Sequence, residues 1–123
     1  MKFTSWNTRG LGSKRKQRML SYKMKQEMSD MIFIQETKCS IQKIKQIHSK
    51  WLNRFEFFEV NVENTVGGTL MLWNPQKIDM VDAEASRNYL SMVIRLVGNK
   101  KCTWLRMCMA PKGWRENTCF LIH

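Results

Sequence analysis

Met31-Ile32-Phe33-Ile34-Gln35-Glu36-Thr37-Lys38 decides the fold. Four consecutive apolar residues give way at once to a polar cluster, the pattern of a strand buried on both faces that stops at the rim of a sheet. Upstream, Lys2 to Asn7 reads as another strand that also finishes in a polar side chain, at Trp6-Asn7. Between them Arg9-Gly10-Leu11-Gly12-Ser13 makes a tight loop, and Ser13 can cap a helix running to about Met28. Strand, helix and strand in that order predict a right-handed crossover that sets two parallel strands about 4.8 Å apart with their carboxyl ends on one edge. Ligands of open α/β sheets gather at that edge. Asn7 and Glu36 are therefore expected side by side.

Working outward, Leu20, Met24 and Met28 form one apolar stripe on the first helix, beside a face rich in lysine and arginine. Ser40 caps a second helix whose stripe is Ile41, Ile44, Ile47, His48, Trp51 and Leu52. No carboxylate or cysteine stands at helical spacing beside His48, so it reads as structural rather than catalytic. From Phe55 the period changes: Phe58, Val60 and Val62 alternate with Glu59, Asn61 and Glu63, as in a half-buried strand. Gly67-Gly68 lead into a strand from Thr69 to Trp73 that Asn74-Pro75 closes. Another turn follows, and then Asn88–Val97 and Lys101–Met109 read as a hairpin joined by Gly98-Asn99 as a two-residue primed turn. Without repeats, low-complexity segments or a linker, residues 1–123 are expected to form a single domain of the α/β class, a mixed sheet with two helices.

Lysine and arginine number 21 against 10 acidic residues, a net charge of +11. A field of that sign attracts phosphate backbones or anionic surfaces without specifying fold. DNA or another nucleic acid is thus the leading partner class, with Arg9, Lys14, Arg15, Lys16, Arg18 and Lys38 as candidate contacts. The cysteines at 39, 102, 108 and 119 lack the pairing and interleaved histidines of a zinc or disulfide framework, and point to a reducing compartment. The first residues have no secretory apolar core, and no stretch approaches the roughly 18 apolar residues of a membrane span. The expected setting is intracellular, nuclear or cytoplasmic, with no membrane partner. Lys14-Arg15-Lys16-Gln17-Arg18 also fits a nuclear-localisation patch, although such runs are commonly the exposed start of a helix.

A carboxylate from Glu36 and a carboxamide oxygen from Asn7 suit magnesium, which takes hard oxygen ligands and keeps several waters. Such an ion would stabilise the charge that builds on a phosphodiester during attack by water. A rival reading starts from Gly10-x-Gly12, which follows a strand and opens a helix as in dinucleotide binding, but Arg15 stands where the third glycine belongs. Trp6, Trp51, Trp73, Trp104 and Trp114 could stack bases, yet in strands and amphipathic helices they serve more often as core or interface. The alternative function is a noncatalytic basic module binding nucleic acid through Lys14, Arg15, Lys16 and Arg18.

Ser5-Trp6-Asn7-Thr8-Arg9-Gly10-Leu11-Gly12, Ile34-Gln35-Glu36-Thr37-Lys38 and Gly67-Gly68-Thr69-Leu70-Met71-Leu72-Trp73-Asn74-Pro75 together carry a specific signature. From Met1 to about Gly113 the chain resembles the endonuclease/exonuclease/phosphatase superfamily, most of all the apurinic-type endonuclease domain of plant LINE-type (non-LTR) retrotransposons. The resemblance implies the N-terminal half of a four-layer α/β sandwich, the two-sheet DNase I-like fold, and phosphodiester hydrolysis with Mg2+ or Mn2+. It assigns Glu36 to the metal-binding glutamate and Asn7 to the asparagine that helps arrange the metal. Arg9 stands where repair-type relatives carry aspartate, and Met109 and Lys112 replace a tyrosine and an asparagine near the scissile phosphate. The family's aspartate-x-asparagine and aspartate-histidine pairs belong to a further half, and His123 does not take their place. The expectation is a truncated, metal-dependent phosphodiesterase-like domain that is inactive alone, or an unstable retroelement remnant. A sheet face left uncovered by the missing half is expected to promote self-association.

Overall fold

The computed structural model describes residues 2–60, 68–85, 89–108 and 120–122. The chain divides into two compact units, Met1–Asn61 with Val66–Asn74, and Val62–Thr65 with Pro75–His123. In the first unit run β1 (Phe3–Asn7), α1 (Lys14–Glu27), β2 (Met31–Gln35), α2 (Ile41–Trp51), β3 (Glu56–Val60) and β4 (Thr69–Trp73). The sheet order is β1-β2-β4-β3, with β1 and β2 parallel and the remaining pairs antiparallel. Both helices start at the anticipated serines: the Ser13 hydroxyl accepts from the Lys16 N–H and the Ser40 hydroxyl from the Lys43 N–H, each at 3.2 Å. Ile32, Ile34, Leu70 and Leu72 pack with Leu20, Met24, Ile44 and Ile47 in one core.

The opposite face of that sheet is equally closed, since Met31, Phe33 and Met71 are each 0% exposed. These three residues leave no bare apolar face among them. Two stripe assignments also change. Met28 is 74% exposed, because the helix ends before it and it caps α1 in the left-handed conformation with φ 49°. Ile41, at the first position of α2, is likewise solvent-facing at 37%, too early in the helix to reach the core. Val62, assigned to a strand by alternation, and Met109, the expected end of the second hairpin strand, lie outside the described residues.

The second unit is an antiparallel sheet of β5 (Ile78–Ala85), β6 (Tyr89–Leu96), β7 (Cys102–Cys108) and β8 (Phe120–Ile122), in that order. Leu90, Met92, Ile94 and Leu105 are buried along one face of β6 and β7. The predicted hairpin is present as β6 and β7, but it is not closed by a two-residue primed turn at Gly98-Asn99: the last paired positions are Arg95 and Cys102, and the tight turn between them sits one residue earlier without a positive φ at its first central residue. Asn99 N–H donates to the Leu96 carbonyl at 2.9 Å, which centres the turn on Val97-Gly98. Gly98, at φ 88°, supplies the left-handed residue that this turn requires. β5 and β8 have no counterpart in the expectations from sequence. A bulge between Met80 and Asp82 interrupts the alternation of β5, and its acidic residues and alanines are poor strand formers. No helix among the described residues is long and apolar enough to cross a membrane.

The left-handed cap makes one stability test. Met28→Gly relieves a non-glycine positive φ at an exposed site and is expected to stabilise by about 0.5–1 kcal/mol, read as a higher urea midpoint at unchanged m.

Candidate functional site

Asn7 and Gln35 are the last residues of β1 and β2 and face each other as paired positions of the parallel ladder. The pairing does not stop there. Thr8 N–H donates to the Gln35 carbonyl at 3.1 Å, Gly10 N–H to Glu36 at 2.7 Å and Leu11 N–H to Thr37 at 2.8 Å. The Thr8 hydroxyl adds bonds to the carbonyls of Gln35 (3.3 Å) and Glu36 (3.1 Å). On the other side, Thr37 N–H reaches the Gly68 carbonyl at 3.3 Å, just before β4. Thr8 and Thr37 are 3% and 0% exposed, so these bonds form a dry seam beneath the rim.

The seam holds the backbone in costly conformations. Arg9 (φ 52°), Glu36 (φ 55°) and Lys38 (φ 51°) all lie in the left-handed region, with Gly10 and Gly68 beside them at 109° and 77°. A non-glycine residue held there costs about 1–3 kcal/mol and persists only where its surroundings over-determine it. Met28 at the helix cap is the one other case among the described residues. Gly68 is doubly required, since a Cβ at that position would sit 3.0 Å from the Thr37 hydroxyl.

Asn7 and Glu36 are brought to this one rim, both half-buried. The Asn7 carboxamide oxygen accepts from Arg9 N–H at 3.1 Å and keeps its second lone pair. Beside Asn7, the Gln35 Nε2 is buried with no hydrogen-bond partner among the described residues. Lys38 is exposed and its stem lies over Gly10, 3.8 Å from where a Cβ would be. Arg9 is exposed at the same loop, whereas Lys14, Arg15 and Arg18 are exposed on α1.

Lys16 behaves differently from its neighbours: its ammonium donates to the carbonyls of Thr8 and Arg9, which turns it into a strut under the loop rather than a ready phosphate ligand. Gln17, 5% exposed, is a second strut that sequence reasoning missed. Its Nε2 donates to the Leu11 carbonyl at 3.2 Å and the Gly12 carbonyl at 3.3 Å, and its Oε1 accepts from Trp51 Nε1 at 3.1 Å. The signal available for it was a glutamine at a core-facing position of an otherwise basic helix.

His48 is structural as expected, with Nε2 on the Phe55 carbonyl and its ring 4.5 Å from that of Phe57. Gly12 has open space where a Cβ would go, so the close backbone approach of a dinucleotide motif is not built here. Burial pushes the Cys39 thiol up, which keeps it protonated and a poor nucleophile at neutral pH. Among the described residues no group of three or more His, Cys, Asp or Glu is placed to hold a metal.

No family model and no curated protein matches the chain. Solved structures do. D. rerio TDP2 complexed with a single-strand DNA product superposes with TM-score 0.65 at 17% identity, over 89% of this chain and 46% of that one. The human Nocturnin catalytic domain with bound sulfate gives 0.67 at 11%, over 89% and 49%. The AP endonuclease LMAP from Leishmania major gives 0.53 at 18%, over 75% and 34%. The fold is that of endonuclease/exonuclease/phosphatase proteins. The chain spans about half or less of the length of these structures.

Two substitutions test the seam. Thr8→Val removes both hydroxyl bonds at constant shape and is expected to cost about 1 kcal/mol. Gly68→Ala combines positive φ with a close approach to Thr37 and is expected to cost more than about 1 kcal/mol. Equilibrium urea unfolding of both variants measures these losses, and wild-type midpoints for both would show the seam to be slack.

Proposed function

We propose that this chain carries the Asn7–Glu36 portion of a divalent-metal phosphodiesterase site acting on DNA, in a domain of the LINE-type retrotransposon endonuclease kind that includes residues 1–123. The observation that supports the reading is that β1 and β2 end at the paired positions Asn7 and Gln35, next to Glu36, on a rim whose backbone is locked in left-handed conformations by a buried hydrogen-bond seam. Strain of this kind concentrates where precise placement of a functional group is worth its cost.

The donor set fits a hard cation. Glu36 offers a carboxylate and Asn7 a carbonyl oxygen, and magnesium or manganese accepts few protein oxygens while retaining waters. Bound there, the ion would neutralise charge on a phosphodiester oxygen. Arg9 and Lys38, exposed at the same rim, are suited to the flanking phosphates as point charges. Gln35 Nε2 is a buried donor lacking an acceptor, and a phosphoryl oxygen or a metal-bound water would satisfy it. The described residues form no cluster of three or more His, Cys, Asp or Glu, and His48, the histidine among them, is held on the Phe55 carbonyl. Residues 1–123 are therefore proposed to bind metal and DNA at this rim without hydrolysing it by themselves.

Titrating Mn2+ into the 15N-labelled chain is expected to broaden the amide signals of Asn7, Gly10 and Glu36 first, with the effect abolished in Glu36→Gln. Broadening centred elsewhere, or unchanged in Glu36→Gln, would remove the site. Magnesium-dependent nicking of supercoiled plasmid that disappears in Glu36→Gln would instead overturn the proposed inactivity.

A further inference from the structure

Residues 14–27 contain six lysines and arginines against a single acid, Glu27 at the last position of α1, and residues 38–54 contain five and no acid. These stretches are α1, α2 and their flanks, which pack through Leu20, Met24, Ile44 and Ile47 into one core and so form a single layer over the first sheet. Neither helix has an acidic residue in its first turn, although the macrodipole favours one there. Lys14 and Arg15 stand at helical neighbour spacing from Arg18, and such like-charge pairs destabilise a helix. A surface helix ordinarily intersperses both signs, so this layer breaks a local rule twice without an internal gain.

Some of the cations are satisfied inside the unit. Lys16 is tied to loop carbonyls, Lys23 lies 5.3 Å from the Trp6 ring centroid and Lys50 lies 5.1 Å from that of Trp51. Lys14, Arg15, Arg18, Lys25, Lys43 and Lys45 are exposed and have no ion-pair partner among the described residues. Among them stands Tyr22, 63% exposed, one turn from both Arg18 and Lys25. Its phenol oxygen accepts from Gln26 Nε2 at 2.7 Å, which steadies the ring on the helix surface.

We infer that the outer face of α1 and α2, centred on Arg18, Tyr22 and Lys25, is a nucleic-acid-binding surface separate from the Asn7–Glu36 rim, and that it takes single strands. Uncompensated cations match a phosphate backbone, and an exposed aromatic ring among them gives a base something to stack on. An anionic membrane is the poorer partner, because a surface-lying helix must bury an apolar face in lipid, and the apolar stripe of α1 is already spent on the core. The inference needs no metal and stands independently of the function proposed above.

The test is fluorescence anisotropy of a labelled oligothymidylate with the whole chain in EDTA, across a salt series. Replacing Arg18, Lys25, Lys43 and Lys45 together by glutamine is expected to lower the slope of log affinity against log salt by about 0.7 for each phosphate no longer neutralised. Tyr22→Ala is expected to weaken the oligothymidylate by about 5- to 100-fold while leaving duplex binding unchanged. An unchanged slope in the quadruple variant would overturn the surface. Equal weakening of single strand and duplex in Tyr22→Ala would overturn its preference. Tighter, charge-dependent binding to phosphatidylserine vesicles than to the oligonucleotide would assign the face to membranes instead.

Discussion

The hydrogen-bonded seam between the segments that follow β1 and β2 is the constraint on which the rest of the first unit depends. A parallel pair normally hands its chain over to the crossover helix as soon as the strands end. Here the ladder is prolonged through Thr8, Gly10 and Leu11 on one side and Gln35, Glu36 and Thr37 on the other. That prolongation fixes where α1 and α2 begin, because Ser13 and Ser40 follow within a few residues. It also carries the conformational cost of Arg9, Glu36 and Lys38. Each seam bond is worth about 1 kcal/mol, so it takes several of them acting together to hold three such residues.

The same loop shows how a strongly basic sequence is put to two uses. Within a single helical turn, Lys14 and Arg15 project into solvent while Lys16 turns back onto the carbonyls of Thr8 and Arg9. Carbonyls that point away from a sheet edge lack partners, and an ammonium with three donors can serve two of them at once. Charge in this chain is thus partly scaffolding, and net charge by itself overstates what is available to a ligand.

The βαβ beginning was legible because each of its parts has a local cause: a continuous apolar run for β2, serines at the helix starts and apolar residues at helical spacing. Topology alone led to the expectation that Asn7 and Glu36 share a rim, and β1 and β2 do end as parallel neighbours at Asn7 and Gln35. What stayed hidden depends on distant partners. Arginine, glutamate and lysine carry no local preference for positive φ, and the conformation is imposed by Gly10, Thr37 and Gly68 from other segments. Met28 fits the apolar spacing of α1 but lies just past the helix end, so periodicity places it in a core that it never reaches. β5 was hidden because a bulge shifts its register midway and its polar residues mimic a loop.

That bulged strand has a further consequence for how the protein lives in a crowded solution. β5 forms the outer margin of the second sheet, where unpaired amides and carbonyls would otherwise template a stray chain. Asp82 and Glu84 line this margin, Asp79 being paired with Arg95 at 3.5 Å, and the extra residue at Val81 twists it out of flatness. A neighbouring molecule trying to add a strand meets negative charge and a kink together. The acids so scarce on the helices are concentrated where they can fend off fibrillar growth.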